Sequence, residues 1–259
     1  MNIRLVVAYD GRPFRGWQSQ KGGGTVQDAL EKAVAGILGE QVTVHGSGRT
    51  DAGVHALAQS AHFELTPEQF SRLGPLQRPE RWIAALNASL PPEVRVLGAR
   101  RATLDFHSRF SATGKVYRYD IWQSPVLPPH LYGRVWHLFG ALDRKAIHGL
   151  ATAIVGTHDF RGFCANSRYL PEDTVRTLHR VTVSERGAAI RVTIEGNGFL
   201  YRMVRMLVGG MIRVAQGKEP ADLFMKRLAE GKPWPTPAMA PAEGLYLAKV
   251  LYSKSGKTR

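Results

Sequence analysis

The strongest constraint on this fold is a hydrophobic period that switches between two and 3.6, twice along the chain, with turn residues at each switch. Ile3, Leu5 and Val7 alternate with Arg4 and Val6, which predicts an opening strand. A turn-rich DGRPFRGWQ and a flexible KGGG follow, and Thr25 with Asp28 three residues on marks a helix start. Val26, Leu30, Ala33, Val34, Ile37 and Leu38 recur at helical spacing until Gly39 stops them. Residues 41–46 and 59–65 are strand-like, and 80–90 are helical up to Pro91 and Pro92. A second round begins near residue 104. KVYRYDIWQ at 115–123 puts Tyr117, Tyr119 and Ile121 on one face of a strand. Asp143 caps a helix carrying Ile147, Leu150 and Ile154. Residues 177–196 make two strands around a Glu-Arg-Gly turn, residues 199–217 a second long helix, and residues 244–252 a closing strand. KPWPTPAMAP reads as a proline-rich loop, and SKSGKTR is a basic tail expected to be disordered.

Each round runs strand, helix, strands, helix and strand. That predicts an α+β protein of two similar, ferredoxin-like halves sharing a mainly antiparallel sheet, with a basic cleft at the seam. The expected division is 1–103, 104–252 and a tail at 253–259. The 259 residues suit one large domain or two small ones at roughly 150 residues each.

Lysine and arginine number 35 against 21 aspartates and glutamates, a net charge of +14, so a polyanion is the first partner to consider. Arg12, Arg15, Lys21, Arg109, Lys115 and Arg118 are candidates for phosphate contacts, which position RNA without reading its sequence. Arg202, Arg205, Arg213 and Gln216 share one helical face, expected to border a polyanion groove. The one cysteine, Cys164, excludes an intrachain disulfide and fits a reducing, cytoplasmic compartment, where it serves as a buried small hydrophobe. The apolar start is too short for a signal segment or a membrane span. His45, His55, His62 and His107 lack the spacing of a metal set, and no CxxC, HExxH or P-loop occurs, so neither metal nor phosphate-cradle chemistry is expected.

The densest segment is GSGRTDAGVHA at 46–56. Its glycines allow close backbone approach, and it holds Arg49, Thr50, Asp51 and His55. A guanidinium beside a carboxylate favours the ionised acid even where water is excluded, as a nucleophile or general base requires. A turn-capping aspartate with a surface arginine partner is the plainer alternative. His55 reads as a hydrogen-bond partner that steadies the loop.

GRTDAGVHA resembles the signature loop of the tRNA pseudouridine synthase A family. The resemblance continues through Tyr9-Asp10-Gly11, Phe14 and Gly16-Trp17-Gln18, FHSRFSATGKVYRY at 106–119, GTHDF at 156–160, TVRTL at 174–178, GNGFLYRMVR at 196–205 and APAEGLYL at 240–247. It implies that Asp51 is the catalytic aspartate and that Arg49 helps to open the RNA helix. It implies that Tyr117 packs on the target base, Arg205 pairs with the aspartate and Leu245 lines the uracil pocket. Phe106, His107, Ser108, Arg109 and Phe110 match a tRNA-contacting strip, with Lys115 beside it. Arg168 and Tyr169 open a second contact region, 168–172, within SRYLPED, the least family-like segment. Tyr119 has no matched role and reads as core.

The resemblance further implies isomerisation of uridine to pseudouridine at positions 38, 39 and 40 of the tRNA anticodon stem-loop, by a cofactor-free homodimer. Detaching the base at N1 and rejoining it through C5 needs no redox agent, ATP or metal. A single carboxylate could act on C6, on C1′ or on the 2′ proton. Two rivals stand beside this reading. One is a non-catalytic RNA-binding protein on the same fold. The other is an N-glycosidase, a class that usually uses two carboxylates where this loop supplies one.

Overall fold

Thr25 caps the first helix in the computed structural model of this chain, which describes residues 1–165, 170–231 and 239–253. Its side chain accepts from the Asp28 amide while Asp28 bonds back to the Thr25 amide, a reciprocal pair that satisfies two otherwise orphaned donors. Helix α1 (Val26–Leu38) ends at Gly39, as its apolar spacing predicts. Before it lies β1 (Asn2–Tyr9). After it come β2 (His45–Gly46), β3 (His55–Glu64), α2 (Pro67–Arg72), α3 (Arg81–Asn87) and β4 (Val94–Ala102).

β1 pairs antiparallel with both β3 and β4. Ile3, Leu5 and Val7 on β1, with Ala61 and Phe63 on β3, are fully buried, as are Leu30 and Val34 of α1 and Trp82 and Leu86 of α3. The rings of Phe63 and Trp82 meet edge-on at 5.0 Å.

Two expectations need correction here. The strand expected over 41–46 shrinks to His45–Gly46. The helix expected over 80–90 is shorter, and α2 precedes it unannounced. Helix α2 buries none of its residues, so it leaves no apolar period; its signals are the Thr66–Gln69 capping box and Pro67 at its first position.

The second round comprises β5 (Ala112–Gln123), β6 (Trp136–Leu138), α4 (Arg144–Ala153), β7 (Gly156–Asp159), β8 (Val175–Arg186), β9 (Ala189–Gly196), α5 (Met203–Ala215), α6 (Ala221–Glu230) and β10 (Leu245–Tyr252). β5 pairs antiparallel with β9, β9 with β8 and β8 with β7, while β6 joins β5 in parallel. Asp143 caps α4 by accepting from the Ala146 amide. The second long helix starts at Met203, not near 199, because Arg202 turns left-handed there (φ 58°). Among the described residues it is the one non-glycine with positive φ. The sequence reading passed over α6, which buries Phe224, Arg227 and Leu228 and whose Pro220 N-cap supplies no side-chain bond.

The chain divides into two units, Met1–Thr113 with the closing residues from Leu247 onward, and Gly114–Tyr246. The break falls after Thr113 and not after residue 103, for a physical reason. The 106–111 segment is bonded into the first unit: Asn2 Nδ2 donates to the Phe106 carbonyl (2.9 Å), and Tyr252 Oη to the Ser108 carbonyl (2.7 Å). The same Tyr252 bond carries the closing strand back to that unit. Each unit is α+β with antiparallel pairing at its centre, the class expected. Among the described residues no helix is long and apolar enough to cross a membrane.

Candidate active site

Asp51 lies half-buried on the 47–54 loop between β2 and β3, and the loop is held almost residue by residue. Ser47 donates its amide to the Ser60 carbonyl (2.8 Å) and its hydroxyl to Gln59 Oε1 (2.6 Å). Gln59 Nε2 donates to the Gly48 carbonyl (2.9 Å). Thr50 takes the Trp17 amide on its carbonyl (3.1 Å) and shares a 2.8 Å bond between its hydroxyl and that of Tyr9. The Val54 amide donates to the Asp51 carbonyl (3.1 Å).

The turn after β1 presses directly on this loop. A Cβ on Gly11 would stand 2.1 Å from the Val54 carbonyl oxygen. One on Gly16, whose φ is +93°, would stand 2.6 Å from the Thr50 carbonyl oxygen. Only glycine permits that approach and that backbone angle. This explains in physical terms why YDGRPFRGWQ accompanies GRTDAGVHA.

His55 is buried, and its Nδ1 accepts from the Gly11 amide (3.2 Å) with Asp10 Oδ1 at 3.3 Å. It ties the two segments together, as expected of a loop-steadying group. Burial pushes the Asp10 carboxyl up. Hydrogen bonds from the Arg12 side chain and amide outweigh it, with the Arg12 charge, and hold Asp10 at about 2. Arg49 is exposed and donates its Nε to Gln18 Oε1 (3.2 Å). Gln18 passes the contact to Gln27 (2.7 Å), and Gln27 to Glu31 (2.8 Å), anchoring Arg49 to α1 through a row of amides.

In the second unit Tyr117 is half-buried on β5, its ring meeting the edge of Phe199 at 4.9 Å. Sequence reasoning missed Phe199, although it stands inside GNGFLYRMVR. Arg205, in the first turn of α5, is only 8% exposed. Its Nε donates to the Ala240 carbonyl (2.8 Å), and the Ala240 amide returns a bond to the Arg205 carbonyl (3.0 Å). Leu245 is buried at the start of β10. Tyr119 supports the same segment. Its hydroxyl donates to the Pro241 carbonyl (2.7 Å), and burial holds its phenol well above the usual range, so the donor stays protonated.

The proposed basic stripe on the second long helix does not form. Arg202 precedes the helix, Arg205 is buried, and Arg213 bonds to Glu219 at 2.7 Å. Every α5 residue except Arg213 is buried, so the helix is packed nearly all round and the face expected to border a polyanion groove is not open.

The 106–110 strip divides by role. Ser108 is fully buried; its amide donates to His62 Nδ1 (3.2 Å) and its hydroxyl bonds the same nitrogen (3.0 Å). The rings of His45, His62 and His107 pack on one another at 4.8–5.3 Å. Burial first, then the His107 and His45 charges, lower His62 to about 4. Phe106 packs against Tyr252 at 5.3 Å. Arg109 and Phe110 project outward, Phe110 77% exposed. Lys115 is half-buried on β5. Arg168 and Tyr169 lie outside the described residues, as do most of the proline-rich loop and the tail. Among the described residues no group of His, Cys, Asp or Glu side chains is arranged to hold a metal.

A family model described as tRNA pseudouridine synthase matches residues 5–111 and 150–253. Relatives named tRNA pseudouridine synthase A match nearly all of the chain. The one from Akkermansia muciniphila is 42% identical over 96% of this chain and 94% of its own length. That from Solidesulfovibrio magneticus is 44% identical over 98% and 92%. That from Acetivibrio thermocellus is 38% identical over 97% and 99%. A solved structure, a Cbf5-Nop10-Gar1 complex, overlays with a TM-score of 0.37 at 11% identity, over 82% of this chain and 44% of that one, a likeness too loose to bear on the site.

Proposed function

This chain belongs to the tRNA pseudouridine synthase family, whose members isomerise uridine to pseudouridine, and on that premise we propose that it acts at positions 38, 39 and 40 of the anticodon stem-loop with Asp51 as its catalytic carboxylate. The observation that carries the reading is the hold on the 47–54 loop. Hydrogen bonds at Ser47, Gly48, Arg49 and Thr50 fix the approach to a half-buried carboxylate, where a plain turn aspartate needs none of them.

The reaction breaks the N1–C1′ bond, turns the base and forms the C5–C1′ bond. C5 loses a proton and N1 gains one, so nothing is consumed. Asp51 acts on C6, on C1′ or on the 2′ proton; all three routes use one carboxylate. A paired base must first leave its stack, at a cost of a few kcal/mol. Tyr117 offers the base an aromatic face worth about 1–3 kcal/mol and Leu245 an apolar contact, and the family resemblance assigns Arg205 as the positive partner of the carboxylate. Arg49, Arg109, Phe110 and Lys115 serve as tRNA contacts on this reading, with Arg168 and Tyr169 as a second set; His107 shapes the strip that presents Phe110. Phe106 and Ser108 join that strip as the residues seating it. Three neighbouring targets favour recognition of shape and backbone over base identity.

Resemblance to the tRNA pseudouridine synthase A family supports a homodimer, and the single cysteine supports a cytoplasmic setting. The division into 1–103 and 104–252 gives way, on the same reading, to an N-terminal unit carrying Asp51 and a second unit carrying Tyr117, Arg205 and Leu245. The test is pseudouridine mapping of bulk tRNA from cells lacking the protein. Loss at 38, 39 and 40 with other sites retained is expected. Full modification there would overturn the assignment.

A further inference from the structure

We propose that the Tyr9 phenol is a positioning residue for Asp51, acting through Thr50. The inference deepens the reading of Asp51 as the catalytic carboxylate and rests on it.

Tyr9 ends β1, in the alternating row that buries Ile3, Leu5 and Val7. Its ring packs 6.0 Å from that of Trp17 and is 4% exposed. A phenylalanine would fill the same volume. A buried hydroxyl in an apolar row costs free energy unless it is bonded, so the oxygen needs a separate explanation. Its bond, 2.8 Å, goes to Thr50 Oγ1, on the residue directly before Asp51.

Thr50 is thereby held at two points. The Trp17 amide fixes its carbonyl at 3.1 Å, which alone leaves the residue free to rock about that bond. The Tyr9 contact reaches the side chain of the same residue and removes that freedom. Gln59 secures the loop further back, at Ser47 and Gly48. Tyr9 therefore anchors the residue directly before the carboxylate.

The register of the sheet points the same way. Val7 stands opposite Gln59 but Tyr9 opposite Ala56, so two steps along β1 face three along β3. Such a bulge bends a strand and re-aims its side chains, and bulges gather beside active sites. This one lies between the regular pairing of β1 with β3 and the Asp51 loop.

The test compares Tyr9→Phe, Thr50→Val, Thr50→Ser, the Tyr9→Phe/Thr50→Val double variant and Asp51→Asn. Single-turnover release of tritium from uridine C5 is measured on an unmodified tRNA transcript, with Kd for that transcript and the thermal melt of each variant. A displacement of about 1 Å can cost a hundredfold in rate, so Tyr9→Phe and Thr50→Val should each slow the step about ten- to a hundredfold. Kd should stay within about threefold, since the bond orders the loop and touches no RNA. The double variant should be no slower than the slower single, because both remove one bond. Thr50→Ser, which keeps the hydroxyl, should retain the rate. The proposal is overturned if Tyr9→Phe turns over within twofold of the parent, if the two losses multiply, or if the loss falls on Kd. Should Tyr9→Phe fail to fold, equal rates for Thr50→Val and Thr50→Ser would overturn it instead. Turnover by Asp51→Asn would remove the catalytic reading beneath it, a separate failure visible in its own arm.

Discussion

What sets Asp51 apart from an ordinary turn aspartate is the behaviour of its neighbours. Gly16 shows how little slack the loop has. Gly16→Ala would force a Cβ to within 2.6 Å of the Thr50 oxygen at a backbone angle of +93°. That strain should cost about 1–3 kcal/mol and displace Asp51, lowering both the urea midpoint and turnover. An alanine variant with the parent's midpoint and rate would contradict it. His62 makes a different prediction. Its folded pKa of about 4 lies below the ordinary value of 6.5, so the folded chain refuses a proton that the unfolded chain accepts. The resulting stability is complete above pH 6.5 and drains away as the pH falls toward 4, by at most about 3 kcal/mol. Urea unfolding at pH 7.5 and pH 4.5 checks this, with His62→Gln as the control. The parent should lose more stability than the variant across that window, and equal losses would contradict the assignment.

At the scale of elements, the proposed function separates anchoring from contact within the 106–110 strip. Ser108→Ala removes a buried hydroxyl bonded to His62 and should lower the melting temperature while leaving tRNA affinity near the parent's. Phe110→Ala removes an exposed ring and should weaken tRNA binding by about 1–3 kcal/mol with no change in melting temperature. A thermal shift from Phe110→Ala, or a binding loss from Ser108→Ala, would reverse the two roles. Elements driven by local chemistry were legible in the sequence: the Thr25–Asp28 box, the alternation of β1, the Asp143 cap and the β8–β9 hairpin. Elements stabilised by distant partners were not. Helix α2 buries no residue and so shows no period, and α6 is short and lacks a side-chain cap to mark its start. The arginine stripe misled because helical phase says which residues share a side but not whether that side is packed, and α5 is buried nearly all round. The Asp51 loop itself was legible through its glycines and charges. Its supports were not, because Tyr9 and Thr50 are 41 residues apart and Gln59 looks like any polar residue in an alternating strand.

For the whole molecule, the charge of +14 makes tRNA capture an ionic event. Binding should fall steeply with salt, with a log–log slope of several units, since each phosphate contact contributes roughly −0.9 for a duplex. A flat salt response would mean that the charge serves another purpose. The division after Thr113, with the chain returning to the first unit at Leu247, places Asp51 and its supports in one unit and Tyr117, Arg205 and Leu245 in the other. The central claim, that one carboxylate performs the isomerisation, is tested most directly by Asp51→Asn, with pseudouridine formation and tRNA affinity measured on the same preparation. The account predicts no detectable pseudouridine at 38, 39 or 40 and a Kd within about tenfold of the parent's, because the carboxylate does chemistry and not docking. Residual turnover alongside a large loss of binding would contradict it.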